Sequence, residues 1–156
     1  MEYWLMKCEP TAYSIADLQR DKTTSWEGVR NYQARNFMRN TMKAGDMALF
    51  YHSNAEPSGV AGVMKIVKAG YPDHFAFKPD HKYFDARSTS EKPLWYMVDV
   101  AFVARFAEIL PLQQIKEEPR LKGIMVAQKG SRLSVQPLSE DHFKVICELA
   151  GVRKLP

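Results

Sequence analysis

Only two of the 156 residues are cysteine, Cys8 and Cys147, and they sit near opposite ends of the chain without CxxC spacing. That argues against a zinc ribbon or a disulfide framework, and against base deaminases, which need a paired-cysteine zinc site beside a glutamate. Two buried free thiols are the expectation. His74, His81 and His142 are dispersed without ligand spacing, so no metal site is expected. Long apolar runs are missing too: Val98 to Ala107 is interrupted by Asp99 and Arg105, and no basic-then-apolar leader opens the chain. Neither a membrane span nor secretion is expected, and the compartment reads as cytoplasmic. Lys129-Gly130-Ser131 lacks the glycine-rich run of a phosphate loop, which leaves nucleotide hydrolysis without machinery and no cofactor implied. There is no internal repeat, and a 46% hydrophobic content suits one compact domain over residues 1–156.

Acidic residues are absent from one stretch in particular. Between Gly28 and Gly45 stand Arg30, Arg35, Arg39 and Lys43 with no Asp or Glu, so this segment alone carries a charge equal to the +4 of the whole chain. Glu27 and Asp46 flank it. The same stretch follows Trp26 and includes Asn31, Tyr32 and Gln33, and guanidiniums beside π-faces are what phosphate attraction with base stacking requires.

Tyr3 to Lys7 reads as an opening strand buried on both faces. Ser14 with Asp17 three residues on forms a capping box that starts a short helix. A second helix begins near Asn31, burying Ala34, Phe37 and Met38 and carrying Arg35, Arg39 and Lys43 at four-residue spacing. Met47–His52 and Val60–Val67 read as strands, Pro72 to Pro93 as a long surface excursion, and Leu94–Phe106 as a strand with Tyr96, Val98, Val100, Phe102 and Phe106 on one face. Asp99 on that strand reads as a structural partner for an arginine. A helical turn through Leu112 and Ile115, a strand over Ser131–Val135, and a helix capped by Ser139 and stopped by Gly151 complete the pattern. The fold class is α+β: a strongly bent, mostly antiparallel sheet, closer to a small barrel than to a doubly wound fold.

Five blocks, Tyr3 to Pro10, Trp26 to Asn36, Phe50 to Ser53, Trp95 to Val100 and Arg132 to Pro137, resemble the EVE domain family in order and over essentially the whole chain. The resemblance implies a PUA-like β-barrel with flanking short helices. More distantly, the Lys7-Cys8 strand end followed by Trp26 and Asn31 is similar to the layout of YTH domains, which implies a reader of modified bases. The EVE domain family usually has serine where this chain has Cys8, replacing a good hydrogen-bonding group by a weak one.

A modified-base pocket needs an aromatic wall, polar groups for the base edge and cations at the rim. Trp26 is the first candidate wall, with Tyr32 or Trp95 as a second. Arg30 and Arg35 are candidates for phosphate contact, because local acids are scarce, and Asn31 for both helix cap and ligand. The family blocks add Lys7, Cys8, Val29, Tyr51, His52, Ser53, Arg132 and Ser134. A dyad of His52 with Ser53 is disfavoured, since adjacent strand residues face opposite ways, while a Cys8–His52 pair stays open. The leading expectation is a non-enzymatic domain that binds DNA or RNA carrying a modified base, such as 5-methyl- or 5-hydroxymethylcytosine. The alternatives are a small-molecule or free-nucleotide sensor and, last, a Cys8-dependent enzyme.

Overall fold

The computed structural model describes residues 1–155. In chain order the elements are β1 (Tyr3–Cys8), α1 (Ile15–Asp21), β2 (Thr23–Ser25), α2 (Tyr32–Asn36), β3 (Met47–His52), β4 (Gly59–Pro72), β5 (Tyr96–Pro111), α3 (Leu112–Glu117), β6 (Val135–Leu138) and α4 (Glu140–Leu149). The strands form one six-stranded sheet in the order β2-β5-β4-β3-β1-β6. Only β1 and β3 pair in parallel; the other neighbours are antiparallel. Among the described residues the sheet ends at β2 and β6 without closing, so the expected barrel is a bent open sheet.

Alternation along the central strands explains why both sheet faces are covered. Trp4 and Met6 of β1 join Phe50, Met64 and Ile66 in one core with Leu18 of α1 and Ala34 of α2. Leu5, Leu49, Val60 and Val63 point the other way, onto Ile115 of α3 and Phe143 and Ile146 of α4. The middle of β1 and almost all of β3 are apolar on successive residues because neither face meets water there.

The strands depart from expectation: β4 runs to Pro72 rather than Val67 and β5 to Pro111 rather than Phe106. Phe106 does not share a face with Val98 and Val100: Val63 pairs Ala104 but Met64 pairs Phe102, so Val103 is an extra residue and Phe106 joins the opposite core. Such a bulge inverts every later side chain, which strict alternation cannot anticipate. The last strand is Val135–Leu138 rather than Ser131–Val135. Pro137 is accommodated because β6 is an edge strand, where a residue without an N–H costs no ladder bond.

Both predicted helix starts hold. Ser14 accepts the Asp17 amide at 3.1 Å while Asp17 accepts the Ser14 amide at 2.8 Å. Ser139 caps α4 through the His142 amide at 3.1 Å. The basic helix differs from expectation, because α2 runs into a π-helical turn over Phe37–Thr41. The wider turn breaks the four-residue stripe, and Lys43 lies beyond the helix, its amide donating to the buried Asp46. No helix of the described residues is long and apolar enough to cross a membrane.

Candidate nucleic-acid interface

Parallel pairing makes β1 and β3 end at the same edge of the sheet. Lys7 is level with Tyr51 and Cys8 with His52, and the Ser53 amide donates to the Cys8 carbonyl at 3.1 Å. Beyond β2 the chain stays against β5, the Trp26 amide donating to Val98 at 2.8 Å, and then turns at Gly28. Gly28 has φ +83°, and a Cβ there would lie 2.4 Å from the Tyr83 ring. Only glycine lets the turn form with that ring on top of it.

The turn is stapled to the 73–93 excursion by one fully buried carboxylate. Asp73 Oδ2 accepts the Gly28 amide at 2.9 Å and Arg30 Nη1 at 3.0 Å, while Oδ1 accepts the Phe75 amide at 3.0 Å. Arg30 also donates to the Tyr83 carbonyl at 2.6 Å and lies over the rings of Tyr83 and Trp95. The acid that the local sequence lacks is thus supplied from 43 residues away. Arg30 is committed to holding the excursion in place.

These segments enclose a cavity of about 470 Å³, within the range of small-ligand sites. Of the expected residues it gathers Lys7, Cys8, Trp26, Val29, Arg30, Ser53 and Ser134. Trp26 is only 7% exposed, its ring nearly perpendicular to that of Phe50 with centroids 5.2 Å apart in the core. So deeply buried, it offers little of the open face that stacking needs. Its Nε1 finds no acceptor among the described residues, and no buried side-chain polar atom lacks a partner, so this N–H is open to the cavity.

The other expected residues lie elsewhere. Tyr32 and Trp95 stack on each other at 4.9 Å beside a smaller cavity of about 350 Å³ that shares Arg30, Lys82 and Tyr83 with the first. Arg35 lies over Tyr32 and donates to the Leu94 carbonyl at 2.8 Å. Asn31 is the N-cap of α2, accepting the Ala34 amide at 3.0 Å. Tyr51 is buried in the core on the α3–α4 side with Lys7 Nζ 5.7 Å from its ring, and Arg132 is exposed outside the cavity. Asp99 accepts from the Tyr71 hydroxyl rather than from an arginine.

His52 also stands outside the cavity, buried, with Nε2 accepting the Ile15 amide that opens α1 at 3.1 Å. Burial, reinforced by Arg105, lowers its pKa from 6.5. Unfolded chains take up this proton near the ordinary value and the folded protein only at lower pH, so His52 supports stability above about 6.5 and that support is lost as pH falls below it. The urea unfolding midpoint is expected to decline from pH 7.5 to about 5.5. His52→Gln, which keeps an acceptor without a titrating ring, should flatten that decline.

Sequence reasoning missed Tyr13, Ser25, Glu27, Lys82 and Tyr83, all of which line the cavity. Tyr13 stands beside the Ser14 cap, Glu27 reads as a flanking charge, and Lys82 and Tyr83 lie within the long surface excursion. Burial pushes the Cys8 thiol up and the Lys7 ammonium down in pKa. A thiol held protonated, with Sγ directed to the Glu9 carbonyl and the His52 nitrogen already occupied, lacks the activation of a nucleophile. No group of three His, Cys, Asp or Glu among the described residues could hold a metal ion.

A family model for the EVE domain matches residues 2–149. Human thymocyte nuclear protein 1 is 43% identical over 94% of this chain and 73% of its own length. A Pseudomonas syringae protein of known structure superposes with a TM-score of 0.91 at 49% identity, covering 95% of this chain and 99% of that one. The human THYN1 protein, solved in complex with 5-methylcytosine-containing DNA, superposes with a TM-score of 0.88 at 42% identity over the whole of both chains.

Proposed function

This chain belongs to the EVE domain family, and from that membership we propose that it binds nucleic acid and takes a modified cytosine, 5-methyl- or 5-hydroxymethylcytosine, out of the strand and into the cavity at the Trp26–Arg30 turn. The observation that carries this reading is the convergence of the Lys7-Cys8 strand end, Ser53, the Trp26–Arg30 turn and Ser134 on one cavity, in a fold whose solved relative holds 5-methylcytosine-containing DNA. A base there meets the Trp26 edge and the rings of Tyr13 and Tyr83. With Arg30 engaged by Asp73, the phosphate contacts fall to the exposed Lys82 and Arg132 and to Arg35.

Titration of short DNA and RNA strands carrying cytosine, 5-methylcytosine or 5-hydroxymethylcytosine at one position tests this. One buried methyl group is worth about 0.8 kcal/mol, so roughly fourfold preference over unmodified cytosine is expected. Affinity should fall steeply on a log–log salt plot, because several cations release counterions. Absence of oligonucleotide binding under all conditions overturns the reading. The engagement of Arg30 by Asp73, which leaves fewer cations for a polymer, favours as a second reading a free-nucleotide site with a shallow salt slope.

A further inference from the structure

We propose that Glu27 is the residue that distinguishes 5-methylcytosine from thymine in this cavity, an inference that rests on the modified-cytosine reading above. The two bases share the 5-methyl group and nearly the same ring. No contact to the methyl group, and no aromatic contact, separates them. What differs is the pairing edge next to the methyl group: cytosine presents a 4-amino donor and a bare N3 acceptor, thymine a 4-oxo acceptor and an N3–H donor. A site that reads methylation without reading position 4 accepts any thymine in the strand.

The cavity holds the needed group. Glu27 lines it and is half-buried. Its Oε2 accepts the Ser25 hydroxyl at 2.5 Å, which fixes the carboxylate to strand β2. Oε1 has no donor among the described residues, and since no buried side-chain polar atom is unpartnered, that oxygen is open. Glu27 forms no ion pair with any described residue, whereas the other cavity acid, Glu9, is exposed and accepts Asn54 Nδ2 at 2.6 Å. A carboxylate anchored by one oxygen and open at the other is an acceptor only, matched to a 4-amino group and repelled by a 4-oxo group. The open Trp26 indole N–H and the Lys7 ammonium line the same cavity and supply donors for the acceptor atoms N3 and O2 of cytosine.

The test compares strands identical except for 5-methylcytosine or thymine at one position, titrated against wild type, Glu27→Gln and Ser25→Ala, with unfolding midpoints recorded for each protein. Wild type is expected to favour 5-methylcytosine over thymine on the order of tenfold. Glu27→Gln offers both an oxygen and an N–H at the same place and should bring the ratio near one, chiefly by binding thymine more tightly. Ser25→Ala, which frees the carboxylate without removing it, should narrow the ratio less. An unchanged ratio in a folded Glu27→Gln protein overturns the proposal while leaving the modified-base reading intact. A wild-type ratio near one overturns it without recourse to any variant. Wild type that binds neither strand overturns the cavity reading itself, and this inference with it.

Discussion

Asp73→Ala is expected to cost about 3 kcal/mol of unfolding free energy, the scale for breaking a buried ion pair by removing one partner. The carboxylate is fully buried and satisfies the Gly28 and Phe75 amides as well as Arg30. Alanine would leave a guanidinium with only 24% side-chain exposure and no counter-charge. Asp73→Asn keeps an acceptor but loses the charge and should fall between alanine and wild type. Urea unfolding reads the cost, and oligonucleotide titration reads the accompanying loss: with the staple gone, Lys82 and Tyr83 no longer close the cavity. Normal binding by a folded Asp73→Ala protein would show that the 73–93 excursion is dispensable to the site.

Trp26→Ala should be comparably destabilising, about 3–5 kcal/mol, because it empties a buried ring from the core around Phe50 and Met64. Its loss of binding would then not separate a missing contact from a collapsed turn. Trp26→Phe is the discriminating variant: it keeps an aromatic ring against Phe50 and removes the indole N–H together with the five-membered ring that carries it, at a smaller packing cost than alanine. A folded Trp26→Phe protein is expected to bind the modified strand about tenfold more weakly, the worth of roughly one hydrogen bond in a desolvated site. Unchanged affinity would show that the indole edge does not touch the base.

Local signals were legible wherever a short stretch of chain determines its own structure. The Ser14–Asp17 box, the Asn31 and Ser139 caps and the Met47–His52 strand all appear where residue pattern alone places them. What escaped was set by partners far along the chain. Scarcity of acid near Arg30 suggested a free guanidinium, but Asp73 reaches it only because β4 extends to Pro72 and delivers the next residue to the turn. Tyr83 enters the site because Gly28 leaves room for its ring, a contact across 55 positions that no periodicity encodes. The aromatic content of the Trp26 segment was visible; that Trp26 would bury its ring against Phe50 was not.

The joined ends of β1 and β3 have a dynamic consequence. On that side, Ser53 and Cys8 are tied by a main-chain bond at the ends of two interior strands of the sheet, so the wall they form moves only with the sheet itself. The facing wall, built from Lys82 and Tyr83, hangs on the bonds of Asp73 and Arg30 and can lift away with the sheet intact. On the proposed reading a base enters and leaves by the excursion side, and its residence time is expected to follow the rate of that local opening.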